Sequence, residues 1–195
     1  MEFEAFPKIG RLNRDCTITE KIDGTNAQLL FSEEGILLCG SRTRQIWPEG
    51  TEGKPKGCDN MGFAGWAYDN MSALFKTLGP GRHYGEWAGA GIQRRYDMTE
   101  KRFFLFNTKR WTLEALMTNG AYELGLDVVP LIYEGPFTTN ICNNALEALR
   151  ITGSGINSFP RPEGIMVYHH GLRVMAKATI VGDAGGKGKD DQSPS

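Results

Sequence analysis

The chain has 195 residues, 40% of them hydrophobic, enough to bury one real core and too few for two full-sized domains. Its 22 Lys and Arg against 23 Asp and Glu leave a formal net charge of -1, which excludes molecule-wide attraction to nucleic acid and requires a local basic face for any such partner. No apolar stretch approaches the roughly 18 residues of a membrane span, and Met1-Glu2-Phe3-Glu4 is acidic where a signal peptide is basic, so a soluble cytoplasmic protein is expected.

Cys16, Cys39, Cys58 and Cys142 lie far apart with no C-x-x-C spacing, which fits neither a zinc ribbon nor a dense disulfide framework. Reduced structural thiols are the expectation. Along the chain, the apolar runs 27–31 and 36–39 flank Ser32-Glu33-Glu34-Gly35 and predict a β-hairpin, with Lys21 just before it. Residues 44–62 are polar and rich in Gly and Pro, which predicts a surface loop. Phe63, Trp66, Ala67, Met71, Leu74, Phe75 and Leu78 recur near helical period until Gly79-Pro80, predicting one amphipathic helix.

Strands are expected at 103–106, 128–133, 164–168 and 172–176, with His169-His170-Gly171 as the turn between the last two. A helix is expected over 141–150, opened by Thr139 or Asn140. Residues 1–181 then form one domain, and the Gly-, Lys- and Asp-rich segment 182–195 is expected to be a disordered polar tail.

The chemistry lies in five short segments and in their order. Glu20-Lys21-Ile22-Asp23-Gly24 comes first, then Ser41-Arg42-Thr43-Arg44, Gly85-Glu86, Glu163-Gly164 and a late Lys177. A lone K-x-D-G arises easily by chance in a surface loop, where Lys21 would simply pair with Asp23. Five segments in this order resemble the covalent nucleotidyltransferase superfamily of DNA ligases, RNA ligases and capping enzymes, over nearly the whole chain. The continuation Thr25-Asn26, the stretch from Tyr84-Gly85-Glu86-Trp87 to Gln93, and Tyr133-Glu134-Gly135-Pro136-Phe137 are similar to the RNA ligase 2 type, phage members included.

That resemblance implies an α+β nucleotidyltransferase (adenylyltransferase) domain, with antiparallel sheets flanked by helices around a nucleotide cleft. It implies an ATP-dependent RNA ligase that seals 3′-OH/5′-phosphate breaks through a lysyl-AMP intermediate, with Mg2+ or Mn2+ as metal. Lys21 would be the nucleophile. Ile22, Asp23, Gly24 and Asn26 would share the nucleotide site with Glu20, and Arg42 would contact the nucleotide sugar and the nucleic-acid phosphates. Glu86 would bind the ribose hydroxyls, Glu163 would hold the metal near the phosphates, and Lys177 would be the catalytic lysine of the last motif. The partner would be RNA, the protein a monomer, and the setting the cytoplasm, of the host cell if the source is viral. A DNA nick ligase, a GTP-using capping enzyme and a binding module with impaired ligase activity are the alternatives.

Elementary chemistry adds detail. A lysine amine must be unprotonated to attack phosphorus, yet a free one titrates near ~10.4; burial and neighbouring cations such as a metal ion, Lys177 or Arg42 would lower it. The Glu20 carboxylate only accepts hydrogen bonds, so it suits the exocyclic amine of adenine and not the carbonyl of guanine. Gly24 suits a tight turn that lets backbone approach the nucleotide. A planar guanidinium at Arg42 reaches two oxygens at once.

Among Phe103, Phe104 and Phe106, Phe106 is chosen as the ring that stacks on adenine, with a core role as the alternative. Arg44, Arg94 and Arg95, with Lys101, Arg102, Lys109 and Arg110, are the local basic residues available to hold nucleic acid. Two departures from the family pattern stand out. Met175 replaces the first lysine of K-x-K, a charge that Arg173 on the same strand face would have to supply. Only the polar tail follows Lys177, where ligases usually append a further domain.

Overall fold

The computed structural model describes residues 2–6, 9–12 and 14–181. In chain order it contains β1 (Asp15–Lys21), β2 (Thr25–Phe31), β3 (Leu37–Gly40), β4 (Gln45–Ile46), α1 (Phe63–Asp69), α2 (Met71–Leu78), β5 (Gly81–Gly89) and β6 (Lys101–Leu105). There follow α3 (Leu113–Thr118), β7 (Leu126–Val128), β8 (Leu131–Pro136), α4 (Thr139–Thr152), β9 (Gly164–His169) and β10 (Val174–Thr179). These elements fall into two compact units, one from residues within 1–21, 131–153 and 160–195, the other from 22–130 and 154–159. The expected α+β class, built mainly from antiparallel sheets, is what forms. The segment 182–195, expected as a tail, lies outside the described residues.

The first unit is a four-stranded antiparallel sheet in the order β10-β9-β1-β8. In β1 the period-two alternation sends Cys16 and Ile18 into a core with Ile165, Val167 and, from α4, Ala145 and Leu149. Full burial of each aliphatic side chain contributes about 1.5–3 kcal/mol. Thr17, Thr19 and Lys21 therefore belong to the other face of the sheet. Helix α4 is capped by Thr138, whose hydroxyl accepts from the Ile141 amide at 3.1 Å. The cap is thus one residue before Thr139 and two before Asn140, the expected positions, because Thr139 already has helical geometry. The turn before β10 spans residues 170–173, beginning one residue and ending two residues later than expected, with Arg173 left-handed at φ 56. Arg173 precedes β10, so strand alternation does not put it on the face of Met175 and Lys177.

The second unit is a six-stranded sheet in the order β4-β3-β2-β5-β6-β7, antiparallel except where β7 runs parallel to β6. One face carries Ala27, Leu29, Phe31, Leu37, Cys39, Phe103, Leu105 and Leu126, and packs on Phe63, Ala64 and Ala67 of α1, Leu74 and Leu78 of α2 and Leu116 of α3. A separate cluster gathers Ile22, Ala88, Tyr96, Phe104, Val129 and Phe159.

Several expectations change here. The single helix over 63–78 is two, broken at Asn70 (φ -107, ψ 12), whose side chain donates to the Trp66 carbonyl at 2.8 Å and so competes with the helix for its own backbone. The polar stretch 44–62 contains β4, which pairs with β3. The apolar run 128–133 is split at Val129-Pro130 between β7 and β8, which lie in different sheets. Proline cannot donate to a ladder.

Candidate active site

In the first unit, Lys21 ends β1 opposite Gly164, which in turn pairs with Thr179 of β10. The Lys21 ammonium donates to Glu163 Oε2 at 2.7 Å, with both side chains about one-fifth exposed (22% and 19%). Glu163 immediately precedes β9, and its carbonyl accepts from the Ile180 amide at 2.9 Å, so β10 also anchors it. Lys177 pairs with Met166 and hence with Thr19, one step along from the Lys21 row on the same face of the sheet. It is exposed, as is Met175, at 57%. Glu20 is buried at 1%, and alternation assigns it to the α4 face, opposite Lys21.

A divalent metal fits this donor set in one way. Among the described residues no group of three or more His, Cys, Asp or Glu side chains is arranged to hold a metal ion. A metal at Glu163 would take one protein carboxylate and complete its shell with substrate phosphates and water, which is how Mg2+ is usually held.

In the second unit, the residues after Lys21 are fixed one by one. Ile22 is buried against Ala88, Tyr96 and Phe104. The Asp23 amide donates to the Tyr96 hydroxyl at 2.8 Å, and Arg94 Nε donates to Asp23 Oδ2 at 2.9 Å. Gly24 sits in the bend between β1 and β2 and has no left-handed φ. Its need is space: an added Cβ would lie 2.5 Å from the Trp87 carbonyl oxygen of β5.

Thr25 Oγ1 donates to Asn60 Oδ1 at 2.9 Å. Asn26 stands opposite Glu86 across β2 and β5; its amide nitrogen donates to Glu86 Oε2 at 2.8 Å and its oxygen accepts from Arg42 Nε at 2.7 Å. Since a carboxylate only accepts and a guanidinium only donates, these partners settle which end of the amide is which. Glu86 is buried at 8%, whereas Arg42 and Arg44 sit exposed on the turn joining β3 to β4, closed by the Ser41 amide donating to the Arg44 carbonyl at 2.8 Å.

The three phenylalanines separate cleanly. Phe103 and Phe104 are buried in the two clusters, and Phe106 lies past the end of β6 and is 40% exposed. Phe106 is the ring of the three that a ligand can reach.

The basic residues also separate. Arg94 is tied to Asp23, and Lys101 donates to the Met61 carbonyl at 2.8 Å. Arg102 is buried, paired with Glu100, donates to the Tyr122 carbonyl at 2.8 Å and lies over the Tyr122 ring. Arg110 donates to the Leu78 carbonyl at 2.7 Å. Arg102 in particular is internal structure, not a solvated grip; Arg95 is exposed.

Asn60 and Tyr96 join the site without any mark in the sequence. Asn60, left-handed at φ 55, carries no pattern that marks it. Arg95, Tyr96 and Asp97 are all left-handed (φ 62, 51 and 52), a strained run of the kind that persists when surroundings over-determine it. Here it delivers a fully buried tyrosine to Asp23.

The RNA ligase family profile matches residues 14–179, and the chain belongs to that family. The fold is similar to that of a Naegleria gruberi RNA ligase variant with ATP and Mn, at TM-score 0.60 and 15% identity, covering 85% of this chain and 49% of that one. A second Naegleria gruberi RNA ligase variant, with AMP and Mn, gives TM-score 0.59 and 14% identity, covering 86% and 50%. The chain thus spans about half the length of these proteins. No curated protein sequence matches it. No helix among the described residues is long and apolar enough to cross a membrane.

Proposed function

We propose that the protein is an ATP-dependent RNA ligase whose nucleophile is Lys21. The observation that carries this reading is the Lys21 amine held 2.7 Å from the Glu163 carboxylate at the partly buried end of an interior strand, at the two positions where the family pattern asks for nucleophile and metal carboxylate. ATP and a divalent metal enter by family membership and by the ATP, AMP and Mn named for the similar structures.

In the first step the Lys21 amine, its ammonium proton released to water, attacks the α-phosphorus of ATP and gives up a second proton to water as the phosphoramide forms. An N–P bond forms, the bond to the β-phosphate oxygen breaks, and pyrophosphate leaves. Glu163 accepts hydrogen bonds from Lys21 while the amine is charged and orients it; Lys177 stabilises charge on the phosphates. A metal at Glu163 would supply Lewis-acid neutralisation of phosphate charge. The AMP then passes to the 5′-phosphate of RNA, and the neighbouring 3′-hydroxyl attacks that phosphate, expelling AMP and forming the phosphodiester. Ile22, Asp23, Gly24, Asn26, Arg42, Glu86 and Phe106 are the proposed nucleotide contacts, with Arg42, Arg44 and Arg95 toward the RNA.

Within this reading the protein acts as a monomer in cytoplasmic RNA repair, and the likeness to phage-type motifs supports a viral setting. The test is sealing of matched RNA and DNA nicks, each with 5′-phosphate and 3′-hydroxyl. RNA sealed in preference to DNA is the expected result; preference for DNA overturns the substrate assignment.

A further inference from the structure

The outer face of the six-stranded sheet carries a second built arrangement beyond Glu86. Alternation along β5 puts Arg82 and Tyr84 on the Glu86 face. Gln28 of β2 stands directly opposite both Tyr84 and Gly40. Its side chain lies across Gly40, where an added Cβ would meet Gln28 Cγ and Nε2 at 2.9 Å. From there Gln28 Nε2 donates to the Ser41 carbonyl at 2.9 Å, and Gln28 Oε1 accepts from Arg82 at 2.5 Å. One glutamine thus ties Arg82 to the turn that bears Arg42 and Arg44. Tyr84 is 55% exposed, its ring 6.0 Å from the Arg82 guanidinium carbon, and its carbonyl accepts from the Phe106 amide at 3.0 Å.

We infer that Tyr84 and Arg82 form a subsite for one unpaired nucleotide of the RNA, the base stacked on the Tyr84 ring and its phosphate paired with Arg82. The occupant is chosen by chemistry. An exposed aromatic ring beside guanidinium groups on one face matches the stacking-and-phosphate pattern of single-stranded nucleic acid binding. A base inside a duplex offers no free face to Tyr84, and the guanidiniums of Arg42, Arg44 and Arg82 can each take a phosphate. This inference rests on the RNA ligase reading.

The test is binding of a fluorescent 5′-phosphorylated single-stranded RNA by anisotropy, with a fully paired RNA nick as comparison. Tyr84→Ala should weaken single-strand binding at least about fivefold, the lower end for loss of one stacked base, while Tyr84→Phe binds as the parent and the paired nick is bound equally by all three. Arg82→Gln should reduce the salt slope of single-strand binding by about 0.7, one phosphate contact. Parent-like single-strand binding by Tyr84→Ala, or a parent-like salt slope in Arg82→Gln, would overturn the inference, and so would an equal loss on the paired nick. Labelling of the parent by α-labelled ATP, run alongside, separates the two readings: a labelled parent with an unaffected Tyr84→Ala defeats the subsite alone.

Discussion

Lys21 Nζ lies 2.7 Å from Glu163 Oε2, and the two residues are brought together by the pairing of β1 with β9 across 142 residues of sequence. The Glu163 carboxylate thus holds the amine of the proposed nucleophile. Glu163→Gln keeps the shape and removes the charge, so it should slow transfer of label from α-labelled ATP to the protein by about 10- to 100-fold at limiting metal, the usual cost of losing a group that supports a metal site. Raising the metal concentration should recover part of the rate. A rate equal to the parent at limiting metal would remove Glu163 from the mechanism.

Tyr96 fixes the backbone two residues beyond the nucleophile, through the Asp23 amide. Tyr96→Phe removes the acceptor and leaves that N–H unpaired in a part-buried position, at a cost of about 1–3 kcal/mol. For a chain of this size each kcal/mol lowers the thermal midpoint by roughly 2–4 °C. An unchanged midpoint would show that the Asp23 contact contributes nothing.

Met175 is 57% exposed at the position where the family pattern has a lysine. Met175→Lys should leave stability within about 0.5 kcal/mol, as for most surface changes, and should speed single-turnover labelling by ATP. A slower or unchanged rate would mean that this strand position does not act on the phosphates.

His83 contributes one pH-dependent part of the stability on the acid side. Burial holds its imidazolium below the ordinary histidine range; the Gly79 carbonyl at 3.1 Å opposes this, and nearby Arg110 adds to it. The folded protein therefore binds this proton less readily than the unfolded chain. Its contribution is complete above the unfolded value of about 6.5 and declines as pH falls toward the lower folded value. Burial pushes Asp127 the other way, up from the carboxylate range, which adds stability as pH falls through its folded value. His83→Gln should flatten the drop in thermal midpoint between about pH 7 and pH 5. Parallel curves for parent and variant would contradict this.

The motif peptides were legible because their chemistry tolerates few residue types, and the strand pair after Lys21 because apolar runs flank a Ser-Glu-Glu-Gly turn. Strand β1 was equally available: Cys16 and Ile18 alternate with Thr17 and Thr19, a period-two, β-branched pattern. The break at Asn70 was not legible, since the apolar period runs on through it and only the side-chain bond to Trp66 marks it. Nor was the tie from Arg94 to Asp23, or from Asn60 to Thr25, because long-range polar partners leave no spacing in the sequence. Arg102 reads as a surface cation and is buried, since its partners, Glu100 and the Tyr122 carbonyl and ring, are set by the fold alone.

The most direct test is incubation with α-labelled ATP and Mg2+ or Mn2+, followed by denaturation. Label should remain on the denatured parent protein, be released by acid as expected for a phosphoramide, and be absent from Lys21→Ala. An unlabelled parent, or Lys21→Ala labelled as fully as the parent, would contradict Lys21 as the nucleophile.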